Sequence, residues 1–371
     1  MKKILSLILI FSMVLSLAAG CAKTTTKDQI YYPTTEEWLF ATPANQQMDA
    51  TTLDGIESGI SSLNFAIDDV MVLRNGYIVY ENYRTTKYTQ DTVHPIYSVT
   101  KSFLGALIGI AINEGAISAD AKVLDYYKDR TIQNLDARKQ SITIQNLLEM
   151  KGGLKWNEWA LPYSDPNNIW IQALNSGDTI QFVLDQPMAG DPGTTWSYCG
   201  GYSYMLADIL EKATGKDILT YATEKIFQPL GITDARWNKD KSGKYEAAGG
   251  LNLTARDMAK FGLLVLRQGK WEDQQIIPAD YLAAATTSHH DTSSTTGYGY
   301  ESWWTATKEG YYYCNGIYGQ RIYVDPKNNI VVVFACTIPD PDRETQLRAL
   351  VTKYVVGACI STTTTTTAAV K

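Results

Sequence analysis

Histidine is nearly absent from this 371-residue chain: His94, His289 and His290 are the only three, and no C-x-x-C pair occurs. Zinc, iron–sulfur and histidine-rich metal chemistry therefore have no ligand set to start from. A basic excess is missing too. Lys and Arg number 33 against 39 Asp and Glu, a formal charge of −6, with no Lys/Arg stripe that could track a phosphate backbone. No nucleic-acid partner is expected. No internal repeat is visible, and the apolar run from Ile4 to Ala19 falls short of the roughly 20 residues of a membrane-spanning helix. What remains, 45% hydrophobic and 19% charged, is the composition of a folded globular protein long enough to bury a sizeable core.

The start of the chain is an address. Lys2 and Lys3 precede the apolar run, which is broken only by Ser6, Ser12 and Ser16 and has the shape of a secretory signal. It closes on Leu17-Ala18-Ala19-Gly20-Cys21, which resembles the lipobox of bacterial lipoproteins. That resemblance implies cleavage before Cys21 and acylation of its thiol and amine. An ordinary signal with a chance cysteine, or an uncleaved anchor, are the alternatives. The expected plan is a signal over residues 1–20, a tether and extension over 21–45, and an exported protein held on the cell membrane through Cys21. Cys199, Cys314, Cys336 and Cys359 admit three full pairings, but a chain of this size needs no staple and free buried thiols are expected.

Hydrophobic spacing then places the elements. Leu53, Ile56, Ile60 and Leu63 repeat at helical intervals, and two β-rich runs, Val70 to Leu73 and Tyr77 to Tyr80, flank Arg74-Asn75-Gly76 as a hairpin. Phe103 to Ile112 reads as a buried helix that stops before Gly115. Residues from about 120 to 240 read as mostly helical, most clearly Tyr202 to Ala213, and further helices follow at 255–266, 278–285 and 347–356. Strands return at 311–314, 321–324 and 330–335. Residues 361–371, with Thr362 to Thr367, form a biased tail with nothing to bury. Strands at both ends with helices between them predict an α+β fold: one antiparallel sheet built from both chain ends, flanked by helices, with a mostly helical inserted lobe, in a single unit over 46–357.

No G-x-S-x-G elbow is present, but Ser98-x-x-Lys101 opens the buried helix and is the only such spacing in the chain. Three residues along a helix puts both side chains on one face. A hydroxyl is a weak nucleophile until a base takes its proton, and a lysine held neutral by burial or neighbouring cations is such a base. Ser98 as a simple helix cap, with Lys101 solvated, is the plain alternative.

Context favours chemistry. Tyr97-Ser98-Val99-Thr100-Lys101-Ser102-Phe103 resembles the nucleophile segment of the serine β-lactamase and penicillin-binding-protein superfamily, in particular its class C β-lactamase, esterase and 6-aminohexanoate-dimer hydrolase branch. Residues 142–154, 192–200, 249–262 and 315–320 resemble that superfamily's further segments in the same order, so the likeness covers about residues 50 to 357. It implies Ser98 as nucleophile, Lys101 as its base, and Tyr198 as a proton relay. It also implies an oxyanion hole from the backbone N–H groups of Ser98 and Ile317, with Gly316, Tyr318 and Tyr163 against the substrate. No cofactor and no metal are implied. Two departures shape the expected substrate. Gly200 stands where β-lactamases carry asparagine, and Cys314-Asn315-Gly316 replaces K-T-G. An amide grip and a cation for a substrate carboxylate are thus both missing, which points to an ester or linear amide. A β-lactamase or D,D-peptidase is the alternative within enzymes, and a non-catalytic binding lipoprotein the alternative outside them. No obligatory protein partner is evident. His94 is expected to end a strand near the cleft, and His289-His290 to lie exposed in a polar loop.

Overall fold

The structure is a computed structural model, describing residues 31–33, 37–63, 65–306, 309–337 and 344–360. The expected signal, Cys21 and the threonine-rich tail lie outside the described residues. Helix α1 (Ala50–Ser61) comes first, its N-terminus capped by Asp49. Strands β1 (Ile67–Arg74) and β2 (Tyr77–Tyr83) follow as the expected hairpin, with positive φ at Asn75 and Gly76. This is the turn that matches the right-handed twist of the strands. A short β3 (His94–Pro95) leads into α2 (Val99–Asn113).

The inserted helices are α3 (Ala137–Ser141), α4 (Ile144–Leu148), α5 (Ile169–Asn175), α6 (Thr179–Leu184), α7 (Gly200–Thr214) and α8 (Ile218–Ala222). Asp136, Thr143, Asn168, Asp178 and Asp217 each accept a backbone N–H at the start of α3, α4, α5, α6 and α8. Such caps satisfy donors that short helices would otherwise leave unpaired. No side-chain cap is made by Ser98 before α2, by Cys199 before α7, or by Pro278 before the later helix Ala279–Ala285.

Strands β4 (Arg236–Trp237) and β5 (Leu251–Leu253) join β3 in a three-stranded sheet, and α9 (Ala255–Leu266) follows directly. A small hairpin, β6 (Lys270–Trp271) and β7 (Gln274–Gln275), precedes α10 (Ala279–Ala285). The chain then returns to the main sheet through β8 (His290–Asp291), β9 (Thr296–Tyr298), β10 (Trp303–Ala306), β11 (Tyr311–Gly316), β12 (Gln320–Asp325) and β13 (Ile330–Cys336), and ends on α11 (Glu344–Leu350) and a final wide turn to Val356. The sheet has eight strands in the order β2-β1-β13-β12-β11-β10-β9-β8, and its pairings are antiparallel. Both chain ends contribute to it, as expected. Beyond β2 the backbone of Leu39 and Ala41 bonds to Ile78.

Strands β12 and β13 are buried along their whole length, because both faces of the sheet are covered. Val70, Val72, Ile330, Val332 and Phe334 pack with Leu53, Ile56, Leu347 and Val351 on one face. On the other, α9 lies so close that a Cβ on Gly262 would sit 2.6 Å from Val331 Cγ1 and 2.8 Å from Ile322 Cγ2. Four cysteines are free thiols, Cys199, Cys314 and Cys336 buried and Cys359 partly so. The histidines correct one expectation. His289 and His290 are half-buried, stacked on Tyr300 at 4.5 Å and on Trp196 at 5.2 Å. His94 is buried, with Nε2 2.6 Å from Asp69 Oδ2.

Gly262→Val should lower unfolding free energy by about 1–3 kcal/mol, since branched carbons would be forced between buried strand side chains. Urea titration should show a lower midpoint with an unchanged slope; an unaltered midpoint would mean α9 can retreat freely.

Candidate active site

Three segments meet at the start of α2. Backbone N–H of Ile96 donates to Leu251 O at 3.0 Å, and Thr100 Oγ1 accepts from Leu251 N at 3.1 Å, so β5 pins both sides of the turn. Tyr97 is held at φ 47°, a left-handed conformation costly for a residue with a side chain, and it delivers Ser98 to the first position of the helix. Ser98 does not act as the simple cap. Its Oγ accepts from Lys101 Nζ at 3.0 Å, and the same nitrogen donates to Ala248 O at 2.6 Å.

Lys101 is only 2% exposed. Its Nζ lies 4.9 Å from the centroid of the Tyr198 ring, which comes from the other lobe just before α7. Burial works against the ammonium, but the acidic neighbours, Tyr198 and Glu158 first and Glu301 once it ionises, outweigh it, and the net shift of the Lys101 pKa is upward. Lys101 therefore rests as an ammonium, where a neutral amine is expected from the sequence.

The third segment is the end of β11. Gly316 passes so close to the Ser98 turn that a Cβ there would meet Ile96 O at 2.6 Å and Ser98 N at 3.3 Å. Only glycine fits, and the next residue is Ile317. Tyr318 follows at φ 65°, and its ring packs edge-on against Tyr97 at 5.1 Å. The residue before one expected oxyanion donor and the residue after the other thus brace each other.

Glu158 is the member of the site that no local sequence signal revealed. It is buried, its Oε2 accepts from Trp156 Nε1 at 2.8 Å and Gly200 N at 2.7 Å, and its Oε1 accepts from Tyr163 at 2.8 Å. A carboxylate at the first N–H of α7 does the work of the missing cap and meets the positive end of the helix. At Gly200 itself space is short: a Cβ there would stand 3.1 Å from Trp170 Cε3. Tyr163 lies beside Glu158 and spends its hydrogen on it, and burial raises its pKa and keeps it a donor. The loop's tryptophans divide. Trp156 and Trp170 are core, whereas Trp159 is 55% exposed and stacks on Tyr198 at 4.9 Å. Trp196 extends that aromatic wall and lines a cavity of about 590 Å³ with Leu154, Trp156 and Ile169.

The geometry can be set beside known proteins. A family model described as beta-lactamase matches residues 57–355. The chain is 28% identical over 328 residues to the 6-aminohexanoate-dimer hydrolase of Paenarthrobacter ureafaciens, covering 81% of each. Its fold superposes on a penicillin binding protein from Bacillus halodurans with a TM-score of 0.63 at 18% identity, over 80% of this chain and 99% of that one. It also superposes on EstCE1, a hydrolase with promiscuous acyltransferase activity, with a TM-score of 0.67 at 17% identity, over 83% and 99%. At those identities the structural likeness speaks for the fold alone. The sequence match over most of the chain says more: this protein belongs to the beta-lactamase family of serine hydrolases and is related to the aminohexanoate-dimer hydrolases.

Proposed function

We propose that this chain is an extracytoplasmic, lipid-anchored serine hydrolase that cleaves an ester or a linear amide through an acyl-enzyme on Ser98. The observation that carries the reading is the 3.0 Å contact of Ser98 Oγ with a buried Lys101 Nζ, itself beside the Tyr198 ring. Lys101 and Tyr198 act as one unit that holds or releases a single proton. Once that unit has shed a proton it accepts the hydrogen of Ser98, and Oγ bonds to the substrate's carbonyl carbon. The carbonyl oxygen becomes an anion facing the N–H groups of Ser98 and Ile317, donors of a kind worth about 10²–10³ in rate each. The unit then hands its proton to the departing alcohol or amine. In the second half-reaction a water gives up a proton to the same unit, its oxygen attacks the acyl carbon, and Ser98 recovers its hydrogen.

Preference for an ester or linear amide rests on the cleft's polar groups. Gly200 brings no side chain, and its N–H is occupied by Glu158. Cys314, Asn315 and Gly316 bring no cation. The activity of the Paenarthrobacter relative, hydrolysis of an aminohexanoate dimer, is a linear-amide cleavage and agrees with this. Anchoring rests on residues 17–21 of the sequence.

Ser98→Ala should abolish hydrolysis of a p-nitrophenyl ester, and Lys101→Ala or Tyr198→Phe should slow it by about 10²–10⁴; full activity in the Lys101 variant would end the assignment. A fluorophosphonate should label Ser98 and labelled penicillin should not, as read by mass spectrometry. Labelling by both would return the protein to the penicillin-recognising group. Because Lys101 rests as an ammonium with a raised pKa, its neutral form grows with pH, so kcat/KM should climb from neutral into alkaline solution. A falling profile there would contradict the base role. Cys21→Ala should move the protein from the membrane fraction to the soluble one, whereas retention on the membrane would refute the lipid anchor.

A further inference from the structure

Directly beneath the site lies a carboxyl group for which the reaction above has no use. Glu301, in the turn between β9 and β10, is fully buried. Its backbone is held in the left-handed region at φ 40°, with Ser302 at φ 66° after it. The turn is tied down on every side: Glu301 N donates to Leu148 O at 3.0 Å, Ser102 Oγ donates to Glu301 O at 3.2 Å, and Ser302 N donates to the Tyr298 hydroxyl at 2.7 Å. Such a conformation persists only where its surroundings enforce it.

The side chain enters between the two helices that carry the site. A Cβ on Gly105 would stand 3.0 Å from Glu301 Cβ. Gly105 is one helical turn beyond Lys101 and on the same face of α2. On α7, Ser203 Oγ donates to Glu301 Oε2 at 2.7 Å, one turn inward from Tyr198. Oε1 has no hydrogen-bond partner among the described residues. A buried carboxyl with one oxygen left unpaired is costly unless charge or proton uptake compensates it. Lys101 is the cation that interacts with it.

We propose that Glu301 is a positioning residue that acts as a proton brake on Lys101: when it ionises, it captures Lys101 as an ammonium and limits the supply of the base. The inference rests on the base role given to Lys101 above. Burial pushes the Glu301 carboxyl up to about 8, against the pull of Ser203 and Lys101. The other titratable groups facing it are Cys199, Tyr281 and Tyr298, each raised well above its usual range by burial and therefore silent there. Those facing Lys101 are Tyr198, Glu158, Glu301 and, from the turn before β5, the half-buried Glu246, whose carboxyl burial also raises.

The consequence is a bend in the pH profile. Below the ionisation of Glu301 the carboxyl is neutral, and free Lys101 base increases tenfold per pH unit. Above it, each proton lost leaves Glu301 first, and the new anion strengthens the hold of Lys101 on its own proton. The climb of kcat/KM should therefore flatten into a shelf near the Glu301 pKa of about 8 before it resumes. Glu301→Gln keeps the size and an acceptor for Ser203 but cannot ionise. Its profile should rise through that region without a shelf, exceeding the parent enzyme there by on the order of tenfold.

Ser203→Ala removes a hydrogen bond that favours the carboxylate, so its shelf should move to higher pH. Damage to packing alone would lower the entire curve and leave the shelf in place. A shelf that persists unmoved in Glu301→Gln, in enzyme that still labels fully with fluorophosphonate, overturns the inference, as does a shelf lost in Glu246→Gln instead. If Lys101→Ala keeps full activity, it is the base role that has failed, and the brake with it.

Discussion

The structure depends on one hydrogen bond inside one helical turn, from a buried ammonium to the hydroxyl three residues before it. An ammonium removed from water must be answered by dipoles and anions, or it surrenders its proton. Lys101 is answered by Ser98 Oγ, the carbonyl of Ala248, the face of Tyr198, and carboxyl groups reached from the turn before β10 and from the loop after α4. This requirement ties the lobes together more firmly than shape alone would. Two of the uncapped helix starts lie at this same place. In the inserted lobe, short helices are closed off by Asp, Asn and Thr side chains, whereas α2 and α7 present bare N-termini where the chemistry is gathered. At α7 the vacancy is filled from a distance by Glu158.

Strain follows the same geography. Tyr97 and Tyr318 both occupy the left-handed region, and their rings meet. For residues with side chains this costs of order 1–3 kcal/mol each. Those residues flank Ser98 and Ile317, and Gly316 lets the two backbones approach. The rigid sheet beneath, buried on both faces, supplies the packing that holds these turns in place.

Much of this was legible in the sequence, for identifiable reasons. Periodic apolar spacing found α7 and α9 nearly to the residue, and Asn75-Gly76 announced its hairpin. The pairing of Ser98 with Lys101 was legible because a helix turn is a local object. Tyr198 could be placed only through a resemblance, since nothing local links it to a serine a hundred residues earlier. Strands β8 to β10 escaped notice because they are two to four residues long and lie in a run of Thr, Ser and His. The stacking of His289 and His290 was lost with them. Glu158 and Glu301 had no signal at all. An isolated acidic residue in a loop looks like solvent-facing charge until tertiary structure buries it.

The borders of the large sheet carry a consequence of their own. At one border, Leu39 and Ala41 satisfy the backbone of Ile78; at the other, β8 is only His290 and Asp291, one of them an acid. The β8 border is too short to offer a long run of free amide groups on which a foreign chain could be templated. On that side, growth by edge-to-edge addition of a second sheet finds almost no ladder to climb.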